Sequence, residues 1–275
     1  MKVADMFTVE GRCAIVTGGA SGLGLGFTEA LAENGARVTM LDVNAERIAA
    51  ETARLKGLGF HVRGAVVDVT DHPALDKAFD EAAAAYGRLD VVFANAGVDP
   101  GPGFVSGWTG ARTRNNEGAL ENYTDERWQR VIDINLNGVF ATLRAAARHM
   151  KPQNSGKIIV TTSLAAFLSE AGIGAAYMAT KAGAAHLMRN VALELAAYNI
   201  TVNAIAPGFF ITNIGGGHAH DPALQARIAA SVPMHRVGFP EDMKGLALFL
   251  ASPASAYVTG AQIPIDGGWS LGEAD

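Results

Sequence analysis

The chain has 275 residues, 49% of them apolar, a formal net charge of −5 and a single cysteine, Cys13. That length can bury a large core, and the acidic balance argues against a nucleic-acid partner, whose surface needs a clustered basic face. No run of 18 apolar residues, no apolar signal-type stretch in 1–11 and no second cysteine are present, so no membrane span and a cytosolic location are expected.

Short apolar, β-branched runs alternate with alanine-rich amphipathic stretches. Cys13 to Thr17 predicts a strand and Gly22 to Asn34 a helix that ends at Gly35. Ala36 to Asp42 is a second strand, Asn44 to Leu58 a helix, and His61 to Asp68 a third strand. Asp71 to Tyr86 reads as a helix opened by an acidic cap and closed by Gly87. Leu89 to Ala94 is a fourth strand, followed by a polar, glycine-rich stretch from Asn95 to Asn122. Thr124 to Met150 reads as one long helix, Lys157 to Thr162 as a fifth strand and Ala175 to Tyr198 as a helix. Thr201 to Ala206, a helix over Glu241 to Ala251 and a short strand over Gln262 to Ile265 complete the series.

Strands and helices in this alternation predict an α/β fold: a Rossmann-type doubly wound parallel sheet of about seven strands with helices on both faces. No linker, fixed-period repeat or low-complexity run interrupts it, so 1–275 is expected to be one domain. Ligands of such sheets bind beyond the C-terminal ends of the strands. The loops after strands one, two, four, five and six are therefore the ones to search.

The first of these loops is Thr17-Gly18-Gly19-Ala20-Ser21-Gly22-Leu23-Gly24. Glycines between a strand and a helix let a pyrophosphate approach the helix N-terminus, where free N–H groups favour anions. An ordinary glycine turn is the alternative. Asp42 ends strand two, 24 positions after Gly18, where an acidic residue grips the ribose hydroxyls of a dinucleotide. Its charge would repel a 2′-phosphate and Val43 and Asn44 bring no arginine, so NAD is expected over NADP; a helix-capping Asp is the other possibility. Asp68 could meet the adenine amino group or cap a turn.

Tyr177 and Lys181 stand four apart on a predicted helix, hence on one face about 6 Å apart along the axis. One ammonium about 4 Å from the phenol, at an effective dielectric near 20, is worth about 4 kcal/mol. That is enough to bring a tyrosine from about 10 to neutrality. Tyr-x-x-x-Lys alone is a common chance pair.

Together these residues form a pattern that resembles the short-chain dehydrogenase/reductase family over almost the whole chain. Thr17-Gly-x-x-x-Gly-x-Gly24, Asn95-Ala96-Gly97, Asn135, Ser163, Tyr177-x-x-x-Lys181 and Pro207-Gly208 occur in the family's order. The resemblance implies that Tyr177 is the acid/base and that Lys181 lowers its pKa and bonds the nicotinamide ribose. Ser163 would donate to the substrate oxygen, and Asn135 would hold a water linking Lys181 to solvent. It implies a cofactor site of Gly18, Ser21, Gly22, Leu23, Gly24, Asp42, Asp68, Val69, Asn95, Ala96, Gly97, Tyr177, Lys181, Pro207, Gly208, Phe210 and Thr212. Thr161 and Thr162 compete for the place of Ser163, Asn137 for that of Asn135, and Thr212 could instead cap a helix. A homotetramer is also implied, with the Tyr177 helix and the Arg130–Met150 stretch at interfaces.

Two stretches, 98–122 and 208–232, are expected to shape the substrate pocket. In the first, Phe104, Trp108, Arg112 and Arg114 stand out; either arginine could bind an anionic substrate, or the loop could be a solvated surface or subunit contact. In the second, Phe209, Phe210 and Ile214 could line an apolar pocket with Gly215–Gly217 as a hinge. His218 and His220 lack a carboxylate cluster, so no catalytic metal is expected. The expected reaction interconverts a small-molecule secondary alcohol and a ketone, with NAD(H) carrying the hydride. A 3-oxoacyl thioester reductase and a catalytically silent NAD-binding interaction protein are the alternatives.

Overall fold

A computed structural model describes residues 2–99, 101–106, 113–212 and 219–272. Seven strands form one parallel sheet in the order β3-β2-β1-β4-β7-β8-β9. They are β1 (Cys13–Thr17), β2 (Arg37–Asp42), β3 (Val62–Val66), β4 (Val91–Ala94), β7 (Gly156–Thr161), β8 (Ile200–Pro207) and β9 (Gln262–Ile265). Two further short strands, β5 (Val105–Ser106) and β6 (Thr113–Arg114), pair antiparallel outside it. The order reverses between β1 and β4, which opens the crevice of a doubly wound sheet at their C-terminal ends.

Alternation along the strands divides the core in two. Ile15, Val92, Ala94, Ile158, Val160 and Val202 face one side, where they meet α3 (His72–Tyr86), α5 (Gly138–Gln153) and α6 (Ala175–Leu195). Ala14, Val16, Val91, Phe93, Ile159 and Ile205 face the other, against α1 (Gly22–Glu33), α2 (Ala45–Gly57) and α8 (Pro240–Ala251). Successive side chains point to opposite faces, and both faces are covered, so every residue of β1, β4, β7 and β8 is buried. Phe27 stacks on Phe93 with ring centroids 4.7 Å apart, locking α1 to the sheet beside the glycine turn.

Caps fix the helix starts. Asn44 accepts from Arg47 N–H, Asp71 from Ala74 N–H and Thr124 from Arg127 N–H, each satisfying one otherwise orphaned donor. Gly87, with φ of 74°, ends α3 in the left-handed region.

The structure departs from the sequence reading in four places. Strand three stops at Val66, so Asp68 lies beyond it. The expected long helix is α4 (Asp125–Ile132) and α5 joined by a π-helical turn, Asp133–Asn137. Its Gly138 N–H reaches back five residues to the Asp133 carbonyl. The stretch after β4 carries β5, β6 and two short 3₁₀ turns rather than plain loop. An eight-residue helix, α7 (Pro222–Ala229), stands within 208–232; its cap is Asp221, not Thr212.

At the opposite end of the sheet Lys157 is buried, its ammonium donating to Ser255 Oγ at 3.2 Å. Burial, helped by Arg12, pulls its pKa down to about 8. Below pH 8 folded and unfolded chains both carry the charge and the burial penalty is fully present; it fades as pH rises toward the unfolded value of 10.5. Lys157→Met should therefore stabilise by about 1–2 kcal/mol at pH 7, after allowance for water near the ammonium. Ser255 keeps its own acceptors at Leu250 and Ser252. Thermal melts at pH 7 and pH 10 check this: the gain should shrink at pH 10, and a loss at pH 7 would refute it.

Candidate active site

The glycine turn is built so closely that side chains have no room. Gly18 has φ of 63° and Gly22 of 53°, conformations that L side chains rarely adopt. A Cβ on Gly24 would collide with the Gly18 carbonyl oxygen and come within 2.5 Å of Asn95 Nδ2. Asn95 is the bracket beneath the turn. Its Nδ2 donates to the carbonyls of Thr17 at 3.0 Å and Gly18 at 3.2 Å, and its Oδ1 accepts from Thr161 Oγ1 at 3.0 Å. Thr17 Oγ1 in turn accepts from the N–H groups of Asn95 and Ala96. One side chain thus ties together the ends of β1, β4 and β7.

Ser21 precedes α1 in extended conformation, and Leu23 follows in the first turn. Asp42 does not cap α2, a task that Asn44 performs. Its Oδ2 instead accepts from Ala20 N–H at 3.2 Å and its Oδ1 from Asn44 N–H at 3.0 Å. The carboxylate is therefore fastened at the rim of the glycine turn, and each oxygen keeps a lone pair for a further donor. Asp68 is exposed and accepts from both the N–H and the hydroxyl of Thr70; the turn-capping alternative describes it. Val69 is buried with its methyls against Gly138. Thr212 is buried, and its Cβ is the atom a side chain on Gly22 would meet first, at 3.3 Å. Strand β8 runs through Pro207, and Gly208 N–H is held by the Ile265 carbonyl. The Phe210 ring is packed on Gly238 in the core cluster that includes α8.

The second half of the site sits where β7 ends and α6 begins. Ser163 Oγ accepts from Ala165 N–H at 3.1 Å, and the Ser163 side chain acts on the Tyr177 hydroxyl, lowering its pKa. Thr161 and Thr162 are bonded elsewhere, to Asn95 and to the Ile205 carbonyl. Lys181 is buried, donates to the Thr161 carbonyl at 2.9 Å, and sits 5.4 Å from the centroid of the Tyr177 ring. Asn135, fully buried in the π turn, accepts from Val98 N–H at 2.8 Å and donates to the Val98 carbonyl at 3.0 Å. Asn137 instead bonds Asp133 beside it. A Cβ on Gly97 would lie 3.3 Å from Asn135 Oδ1 and 3.8 Å from Lys181 Nζ, so these three positions converge.

The charges correct one expectation. Burial pushes the Tyr177 hydroxyl up to about 12; the Ser163 bond lowers it and Asp99 raises it further. Burial also pulls Lys181 down to about 8. Burial, rather than the neighbouring ammonium, sets the direction of the phenol's shift in this chain.

Asp99 carries no motif signal beyond the turn chemistry of Asp-Pro-Gly, and sequence reasoning passed over it. Arg114 lies over the Phe104 ring at 5.6 Å, while Trp108, Arg112, Ile214, Gly215–Gly217 and His218 fall outside the described residues. Phe209 and Phe210 border a cavity of about 160 Å³ with Val232, Met234, Gly238 and Ile265. Among the described residues no cluster of three or more His, Cys, Asp or Glu could hold a metal ion, and no helix is long and apolar enough to cross a membrane.

The residues fit a dinucleotide cofactor. The cradle at Gly18, Gly22 and Gly24 would be filled by any Cβ, and Lys181 is a buried cation whose named acceptor is one carbonyl. Residues 18–270 match a family model described as enoyl-(acyl carrier protein) reductase. A 3-oxoacyl-(acyl-carrier-protein) reductase of Chlamydia pneumoniae is 36% identical, over 95% of this chain and 98% of its own. A cis-4-hydroxycyclohexanecarboxylate dehydrogenase of Sinomonas cyclohexanicum is 36% identical over 94% and 96%. A solved gluconate 5-dehydrogenase of Burkholderia cenocepacia, in complex with NADP and tartrate, superposes with a TM-score of 0.86 at 33% identity, covering 98% of this chain and 99% of that one.

Proposed function

The chain belongs to the short-chain dehydrogenase/reductase family, and we propose that it interconverts a secondary alcohol and a ketone with NAD(H), using Tyr177 as the general acid/base. The carrying observation is the contact set of Ser163, Tyr177 and Lys181 at the mouth of the crevice, next to a glycine turn that only a backbone can fill. When bound, the nicotinamide supplies the hydride, or accepts it and carries a positive charge when oxidised. In reduction the Tyr177 hydroxyl gives its proton to the substrate oxygen, while Ser163 donates a hydrogen bond to the same oxygen as charge develops there. In oxidation Tyr177 takes the alcohol proton. Lys181 steadies the phenolate and would bond the nicotinamide ribose; Asn135 would hold a water that returns protons from solvent. The turn from Gly18 to Gly24, Asp42, Val69, Asn95 to Gly97, Pro207, Gly208 and Thr212 would hold the rest of the cofactor.

Asp42 supports NAD over NADP, because a fastened carboxylate at the turn rim repels a 2′-phosphate. Titration with NADH and NADPH should show NADH binding at least about tenfold tighter, the order for one unfavourable charge contact. Asp42→Ser should narrow that ratio. Tighter NADPH binding by the wild type would reverse the assignment. Asp99 beside Tyr177 disfavours an anionic group at the reacting end, so an uncharged ketone or alcohol is the expected reactant.

A reducing compartment such as the cytosol, one functional domain over 1–275, and a homotetramer complete the proposal. The 3-oxoacyl thioester reductase remains the second reading, favoured by the family model's description and the Chlamydia relative; Asp42 and the acidic charge balance weigh against it. A panel of alcohols, ketones and acyl thioesters followed at the NADH absorbance separates the two by which class turns over.

A further inference from the structure

We infer that Arg127 is a positioning residue for the substrate, holding the segment after β4 against the wall formed by 164–174, the stretch that links Ser163 to Tyr177 along the chain. This rests on the reading of those two hydroxyls as the reacting end. Arg127 is in the first turn of α4, its own N–H capped by Thr124 Oγ1. From there the guanidinium spans two carbonyls far apart in the chain, with Nη2 2.6 Å from the Pro102 oxygen and Nη1 3.1 Å from the Glu117 oxygen. The Tyr123 ring lies beneath it, 4.2 Å from centroid to guanidinium carbon. Gly101 packs so close that a Cβ there would sit 2.8 Å from Nη2. A side chain on Gly118 would collide with the Gly103 carbonyl oxygen, so the two limbs that Arg127 joins touch each other.

The held segment then pairs with the wall. Gly103 N–H donates to the Gly172 carbonyl and Val105 N–H to the Ala171 carbonyl, each at 3.1 Å, and Pro102 bridges Ile173. Ile173 stands four residues before Tyr177, whose N–H bonds the Gly174 carbonyl at the start of α6. A substrate whose oxygen lies between Ser163 and Tyr177 is flanked by this 164–174 stretch, and a fork with two parallel donors and a stacking face is what ties the two limbs together. A lysine, with one compact ammonium, cannot span both carbonyls and stack.

The test measures Arg127→Ala and Arg127→Lys with the substrate pair found in the panel, alongside NADH titration and hydrogen exchange at Gly103 and Val105. In Arg127→Ala the substrate KM should rise at least about tenfold, the order for loss of two charge-assisted hydrogen bonds. NADH affinity and kcat should stay near wild type, and both amides should exchange faster; Arg127→Lys should fall between. General damage would act differently, lowering the active fraction and hence kcat while leaving KM alone. Should Arg127→Ala fail to fold, Arg127→Lys carries the test by the same readouts. Unchanged KM with unchanged amide protection in an active variant would overturn the clamp alone, whereas a wild-type chain that turns over nothing in the panel would overturn the reaction and the clamp's role in it together.

Discussion

Tyr177→Phe should lower kcat by about 10²–10⁴-fold, the usual share of a positioned acid or base, while NADH still binds with near-native affinity. The substitution removes one oxygen and keeps the ring, so the packing around Lys181 and the start of α6 is retained. Ser163 loses its partner but keeps the Ala165 N–H. Nothing in the Asn95 bracket or the glycine turn touches the phenol in the hydrogen bonds described, so cofactor affinity has no reason to move with the proton transfer. Rapid-kinetic reduction of a ketone from the panel, with parallel NADH fluorescence titration, reads the two quantities separately. A variant that keeps a tenth or more of the wild-type kcat would remove Tyr177 from the chemistry.

The raised pKa gives that experiment a direction. With Tyr177 at about 12, the phenol keeps its proton through the neutral range, the form needed to protonate a ketone oxygen. Reduction should therefore not weaken as pH falls from 8 to 6. Oxidation needs the phenolate, and bringing a group from about 12 to 7 requires roughly 7 kcal/mol. Lys181 stands 5.4 Å from the ring centroid, and a positive charge nearer the oxygen would favour the phenolate. Alcohol oxidation should therefore climb with pH where ketone reduction does not. Asp99 works against the phenolate, which places its effect on the same limb of the profile.

Regular alternation made the sheet readable from sequence: β1, β4, β7 and β8 are fully buried, mostly apolar runs, and local propensity and tertiary packing agree there. The Tyr177–Lys181 helix and the Gly18–Gly24 turn were legible for the same reason, since both are local patterns. What was not legible depends on contacts between distant residues. The break in the 124–150 helix falls where Asn135 reaches Val98, 37 positions away, and no helix propensity announces a π turn. Arg127 bonds two carbonyls, which leave no trace in side-chain patterning. Helical rise fixes the spacing of Cα atoms, not where a four-carbon lysine stem sends its ammonium; here it goes to the Thr161 carbonyl. The helix α7 could have been found, as Asp221-Pro222 is a cap followed by proline at the first helical position.

Gly24→Ala should abolish useful cofactor binding, raising the NADH Kd by about a hundredfold, roughly 3 kcal/mol, and should lower stability by about 1–3 kcal/mol or more. The added methyl has nowhere to go. It meets the Gly18 carbonyl oxygen, which is backbone and accepts from Asn95 Nδ2, and it presses on that same Nδ2. Relief requires either α1 to lift from β1 or Asn95 to leave the turn. The first moves the N–H groups that would meet a diphosphate, and the second unties β1 from β4 and β7. Gly57→Ala is the control: it ends α2, has no atom within 4 Å of the new Cβ and no left-handed φ. It should leave NADH binding untouched and stabilise by about 0.4–1 kcal/mol through the unfolded chain. Calorimetry and NADH titration of both variants separate a local steric block from a general intolerance of alanine. If Gly24→Ala binds NADH as the wild type does, the glycine turn is not where the diphosphate rests.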